Sequence, residues 1–104
     1  GSSDGTFIYT GFKPTWVMLK RYDANNNWHV MDNKRDTYNP TDLQLYANLN
    51  NLEYAETNGI DILSNGFKCR ESSAWINASG GAYYIYMAIG QSLVGSNNIP
   101  CTAK

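Results

Sequence analysis

Asn77-Ala78-Ser79-Gly80-Gly81-Ala82-Tyr83-Tyr84-Ile85-Tyr86-Met87-Ala88-Ile89-Gly90 decides the fold class: a polar Gly-Gly turn opens into a run with three tyrosines and no charge. The run is strand-like. Apolar side chains beside unpaired backbone would template association with other chains, so it reads as a central strand covered on both faces.

Working back from it, Ile60-Asp61-Ile62-Leu63-Ser64 and Phe67-Lys68-Cys69-Arg70 flank Asn65-Gly66. Asn-Gly between two β-prone runs predicts a hairpin on a type I′ turn, whose central residues both need positive φ. Side-chain alternation then places Phe67 and Cys69 inward and Lys68 and Arg70 outward. Further upstream, Thr6-Phe7-Ile8-Tyr9-Thr10 is a short strand closed by Gly11. Thr15 to Tyr22 begins apolar on both faces and ends charged, as a strand does that passes from interior to rim. Asp23-Ala24-Asn25-Asn26-Asn27 turns the chain, and Trp28 to Asp32 returns as a second hairpin strand.

Between Asn33 and Tyr54 the pattern weakens. Leu45, Leu49 and Leu52 have helical spacing, but the asparagines between them are poor helix formers and Pro40 lies upstream. A long irregular middle loop with short extended pieces is expected there. With about six or seven strands and no helix, the chain reads as all-β: an antiparallel β-sandwich, of which the jelly roll is one form.

At 104 residues the chain fits a single domain, residues 1–104. It starts at Gly1-Ser2-Ser3 without an initiator Met and so reads as a processed or excised piece or as the end of a longer polypeptide. Only 16% of residues are charged, 13% are aromatic, and asparagine supplies much of the polar share. That composition suits a domain outside the cell or in a particle. A net charge of −1 argues against nucleic acid, which is bound with clustered Lys and Arg. The sequence has no apolar stretch long enough to cross a bilayer and no charged-then-apolar leader, so membrane insertion is not expected.

Sites with catalytic chemistry are weak. Asp23 to Asn27 imitates the opening of a calcium loop, but Trp28 stands where glycine is needed and Lys34 where a glutamate should be. Asp32 with Asp36, or Glu53 with Glu56, could be written as a glycosidase pair, yet nothing in their spacing selects them. His29, the single histidine, lacks a nucleophile elbow, and neither Cys69 nor Cys101 has a CxxC partner. Bridging those two cysteines requires Cα atoms within about 7 Å, which the sequence leaves open. No enzyme activity and no cofactor is expected.

The aromatics carry more. Three tryptophans and eight tyrosines exceed what a small core can bury, so some must surface, at a rim, a subunit contact or a ligand site. Loops on a rigid sandwich can vary without disturbing the core. Among loop residues, Trp28, Tyr38 and Tyr46 are the candidate stacking surfaces for sugar rings, with Asn26, Asp36 and Asn48 as hydrogen-bond partners.

Three blocks carry a resemblance: Gly11-Phe12-Lys13-Pro14-Thr15-Trp16-Val17-Met18-Leu19-Lys20-Arg21, Leu63-Ser64-Asn65-Gly66-Phe67-Lys68, and Asn77-Ala78-Ser79-Gly80-Gly81 leading into Tyr84-Ile85-Tyr86-Met87-Ala88. In this order they resemble an uncharacterised domain family near the C-terminal ends of tailed-bacteriophage virion proteins. There it often follows a concanavalin or laminin-G-like domain in proteins of tail-fibre type. The resemblance implies a virion location and a distal tail-fibre domain that contacts the bacterial surface, with glycan as the ligand class. The runner-up is a structural role as capsid decoration, cement or fibre trimerisation domain. As partners it implies copies of the chain itself, in a homotrimer, and other virion proteins. The tail from Ser92 to Lys104 resembles the family's endings, which implies a natural C-terminus. No catalytic or ligand residues come with the resemblance.

Overall fold

The structure is a computed structural model that describes residues 4–92, apart from the side chains at 56, 57, 91 and 92. The described residues form β1 (Phe7–Tyr9), β2 (Phe12–Arg21), β3 (His29–Asp32), β4 (Thr41–Tyr46), β5 (Tyr54–Leu63), β6 (Gly66–Cys69) and β7 (Tyr84–Ser92), with no helix among them. All pairings are antiparallel, and the spatial order is β1-β6-β5-β4-β3-β2-β7. The all-β reading stands. The two layers are halves of one curled sheet, and the run from β2 to β6 is a simple meander rather than the crossed order of a jelly roll.

The corner lies at β4. Its C-terminal half pairs with β3, through His29↔Tyr46 and Val30↔Leu45. Toward its N-terminal end it pairs with β5, with an irregularity between Thr41 and Leu43. A bulge of this kind bends a strand and sharpens its twist. Past this corner the sheet curls until β2 lies against β5 and β6 across the interior. The core sits in that fold: Val17 and Leu19 from β2, Met31 from β3, Ile60 and Ile62 from β5, Phe67 and Cys69 from β6. Trp75 and Ile76, from the β6 to β7 connection, plug it. Partly buried Ile8, Tyr84 and Ala88 pack around them.

The β5–β6 hairpin is present, with Phe67 and Cys69 buried and Lys68 and Arg70 turned toward Asp4 and Asp61. Its turn is one residue out of the expected register. Leu63 pairs with Gly66, so Ser64 and Asn65 form the loop. The positive-φ residues among those described are Gly11, Asn58, Gly80 and Gly81, so the turn is not type I′. Gly66 is required for another reason: a Cβ there would lie 2.0 Å from the Ile8 carbonyl oxygen of β1.

Three further expectations change. The extended piece expected in the middle segment is a full strand of the sheet, β4 over Thr41–Tyr46, which shortens the loop around it. The β2–β3 turn is longer than the Asp23 to Asn27 stretch, running over residues 22–28. The run from Tyr84 onward is not central. Among the described strands β7 is an edge, paired only with β2. Cys101 and the C-terminal tail lie outside the described residues.

Candidate functional site

At one open end of the curled sheet lies a cleft of about 710 Å³. The β2–β3 turn supplies Asn25, Asn26, Asn27 and Trp28, the corner strand and the loop after it supply Tyr46 and Asn48, and β5 supplies Tyr54. His29, Trp75 and Lys20 complete it.

The floor is aromatic and fixed. The His29 ring stacks on Trp75 with centroids 4.2 Å apart and meets Tyr46 edge-on at 5.0 Å. His29 is held from behind: its Nδ1 lies 2.7 Å from Oε1 of the buried Gln44. The indole N–H of Trp75 donates to Glu71 at 3.2 Å. The Tyr46 and Tyr54 rings lie 5.4 Å apart with their hydroxyls hydrogen-bonded to each other. Alternation explains why these side chains converge: His29, Tyr46 and Leu19 are register partners on the concave face of neighbouring strands.

The rim is made of amides. Asn48 ties the two loops together, its Oδ1 accepting from the Trp28 backbone N–H at 3.0 Å and its Nδ2 donating to Asn27 Oδ1 at 3.1 Å. Lys20 Nζ donates to the carbonyl of Ala24 at 3.2 Å, and Arg21 pairs with Asp23 at 2.6 Å. Both contacts brace the turn that carries the asparagines. The Arg21 hydrogen bond, despite some opposing desolvation, holds the Asp23 carboxyl below its ordinary range.

Four of the six candidate side chains therefore meet in one place: Trp28, Tyr46, Asn26 and Asn48. The other two do not join them. Tyr38 is 80% exposed and is not part of the cleft lining. Asp36 serves the corner, its Oδ2 accepting the backbone N–H groups of Asp42 at 2.7 Å and Leu43 at 3.3 Å. Sequence reasoning missed Tyr54, Trp75 and His29 as members of the cleft. Tyr54 and Trp75 lie far along the chain from the asparagine turn, and only the curl of the sheet brings them to it.

Residues 1–92 match the family model of a domain of unknown function, DUF7483. The chain belongs to that family. No curated protein and no solved structure matches it. The matched span reaches residue 92, as the described part of β7 does. The cleft lies wholly within the family's span. Among the described residues, no group of three or more His, Cys, Asp or Glu side chains is placed to hold a metal ion.

Proposed function

We propose that this domain is a non-enzymatic module of a phage virion, a distal tail-fibre domain that binds a glycan of the bacterial surface in the cleft between the asparagine turn and the corner strand. The observation that carries the binding reading is the pairing of aromatic faces with amides. Trp28, Tyr46 and Tyr54 offer rings to sugar C–H faces, and Asn25 to Asn27 and Asn48 offer donors and acceptors to hydroxyls. The phage reading rests on the three sequence blocks described above. Among the described residues lining the cleft there is no carboxylate, so glycosidase chemistry has no acid and base to use there.

The test is binding of the chain to envelope polysaccharide of candidate hosts, measured by calorimetry alongside the polymer's length. Binding without shortening supports the reading, and steady release of oligosaccharides overturns it. Trp28→Ala is expected to weaken binding at least tenfold, whereas Tyr38→Ala, outside the cleft, leaves it unchanged. Equal loss from both substitutions would move the site elsewhere.

A second reading, a structural decoration or cement domain, is supported by a different feature. The edge strand β7 leaves apolar side chains uncovered on the outer face of the sheet.

A further inference from the structure

We propose that β7 is a self-pairing edge: two copies of this domain join antiparallel about a two-fold axis at Met87, continuing one sheet into the other. Natural edge strands are blunted by charge, proline, bulges or brevity. From Tyr84 to Ser92, β7 spans 9 residues with no charge and no proline. The register break beside it falls on β2, between Pro14 and Trp16, and leaves the open side of β7 regular. Ile85, Met87 and Ile89 are 45%, 53% and 56% exposed, all on the outer face, where they stand beside Lys20, Met18 and Trp16.

The backbone parity fixes which groups face outward. Tyr22 N–H donates to the Tyr83 carbonyl, and the Thr15 hydroxyl donates to that of Ile89. Residues 83, 85, 87 and 89 therefore turn their polar backbone groups toward β2. Tyr84, Tyr86 and Ala88 turn theirs to the open edge. An antiparallel partner must then meet these same alternate positions. Centring the axis on Met87 satisfies that parity, and it also matches side chains by size. Tyr86 faces Ala88 of the second copy, Tyr84 faces Gly90, Ile85 faces Ile89, and Met87 faces Met87. On the inner face each large ring meets a small residue; on the outer face the apolar row of one copy covers that of the other. A strand without charge pairs with itself free of like-charge contacts, whereas it offers a charged partner no complement.

A second copy is the occupant that the strand itself selects: β7 is an edge among the described strands, and the register above matches each position from Tyr84 to Gly90 to a complementary position of the same strand. This pairing does not rest on the glycan reading, because none of the described β7 side chains lines the cleft. It differs from the three-fold assembly that the phage resemblance implies, since an antiparallel strand pair generates a two-fold.

The experiment is site-specific crosslinking of the full chain in a Cys101→Ser background, with Cys69 left in its buried place. In the proposed register Met87→Cys sets two thiols on a non-hydrogen-bonded pair, with Cα atoms about 4.5 Å apart, inside disulfide range. Ile85→Cys sets them about 13 Å apart. Mild oxidation should convert most of the Met87→Cys protein to a species of twice the 11.6 kDa chain mass, and little of the Ile85→Cys protein. Light scattering should show a dimer for the Cys101→Ser parent and a monomer for Met87→Lys, which places two cations on the axis; the variant should still melt cooperatively, at a temperature that, unlike the parent's, does not rise with protein concentration. A monomeric parent, a trimer, or equal crosslinking at both positions overturns the proposal. So does a monomeric full chain whose truncation after Ser92 dimerises, because the tail is then the occupant of the edge.

Discussion

Asp32 shows how one side chain closes a strand and starts a loop. Its Oδ1 accepts the backbone N–H groups of Lys34 and Arg35, each at 2.9 Å, and its Oδ2 takes the Arg35 Nε–H at 2.6 Å. Partial burial opposes ionisation, but the Arg35 N–H, its guanidinium and the Lys34 N–H together outweigh it, so the carboxyl sits below its ordinary 3.8. A depressed folded-state value means stability that is present above pH 3.8 and lost as pH falls through the folded value. Asp32→Asn is expected to cost about 1–2 kcal/mol at neutral pH and to flatten the fall of melting temperature on acidification. An unchanged acid limb would show that other carboxylates control it. Cys69 behaves in the opposite sense: burial pushes its thiol up to about 11, so the thiolate that reacts is scarce at pH 8. In the native protein iodoacetamide should leave Cys69 unmodified, and denaturant should expose it; fast native labelling would contradict the packing around it.

At the scale of elements, β1 depends on a glycine that is not its own. Gly66→Ala drives a Cβ into the Ile8 carbonyl oxygen, and the obstruction is backbone, which cannot swing aside. The pairs Phe7↔Lys68, Ile8↔Phe67 and Tyr9↔Gly66 must separate. A loss of about 2 kcal/mol or more is expected, with hydrogen exchange accelerated in β1 while β2 and β7 keep their protection. Uniform acceleration would mean that β1 is integral to the whole. The same elements show what the sequence makes legible. Strands with apolar residues inward and polar ones outward, such as Phe67-Lys68-Cys69, read directly. The corner strand inverts that pattern: Gln44 and Thr41 are fully buried while Leu45 is exposed. A polar residue inside needs a partner, and Gln44 has His29, which no local pattern announces. The β7 run was legible as a strand but not as an edge, because an apolar strand looks the same whether its own chain or another copy covers it. Of the cleft, the asparagine turn, Trp28 and Tyr46 were legible; Tyr54 and Trp75 depend on the long-range curl.

For the whole molecule, the two halves of the curled sheet share one interior, and Phe67 stands between them. Its ring is fully buried on β6, beside Ile62 of β5, and meets Tyr86 of β7 edge-to-face at 5.5 Å. Strands at nearly opposite ends of the sheet order thus touch through the core. Truncating this ring removes apolar contact from both halves at once and opens a cavity neither half can close alone. Phe67→Ala should therefore cost about 3–5 kcal/mol, and the variant should still unfold in one transition. Two probes report on the two halves: Trp75 fluorescence follows the plug over the core, and amide exchange follows the β2–β7 ladder. Coincident midpoints are expected in the wild type and the variant alike. A separate, earlier loss of the β2–β7 ladder would mean that the corner at β4 joins two independent units and that the shared interior is not what holds the sheet in its curl.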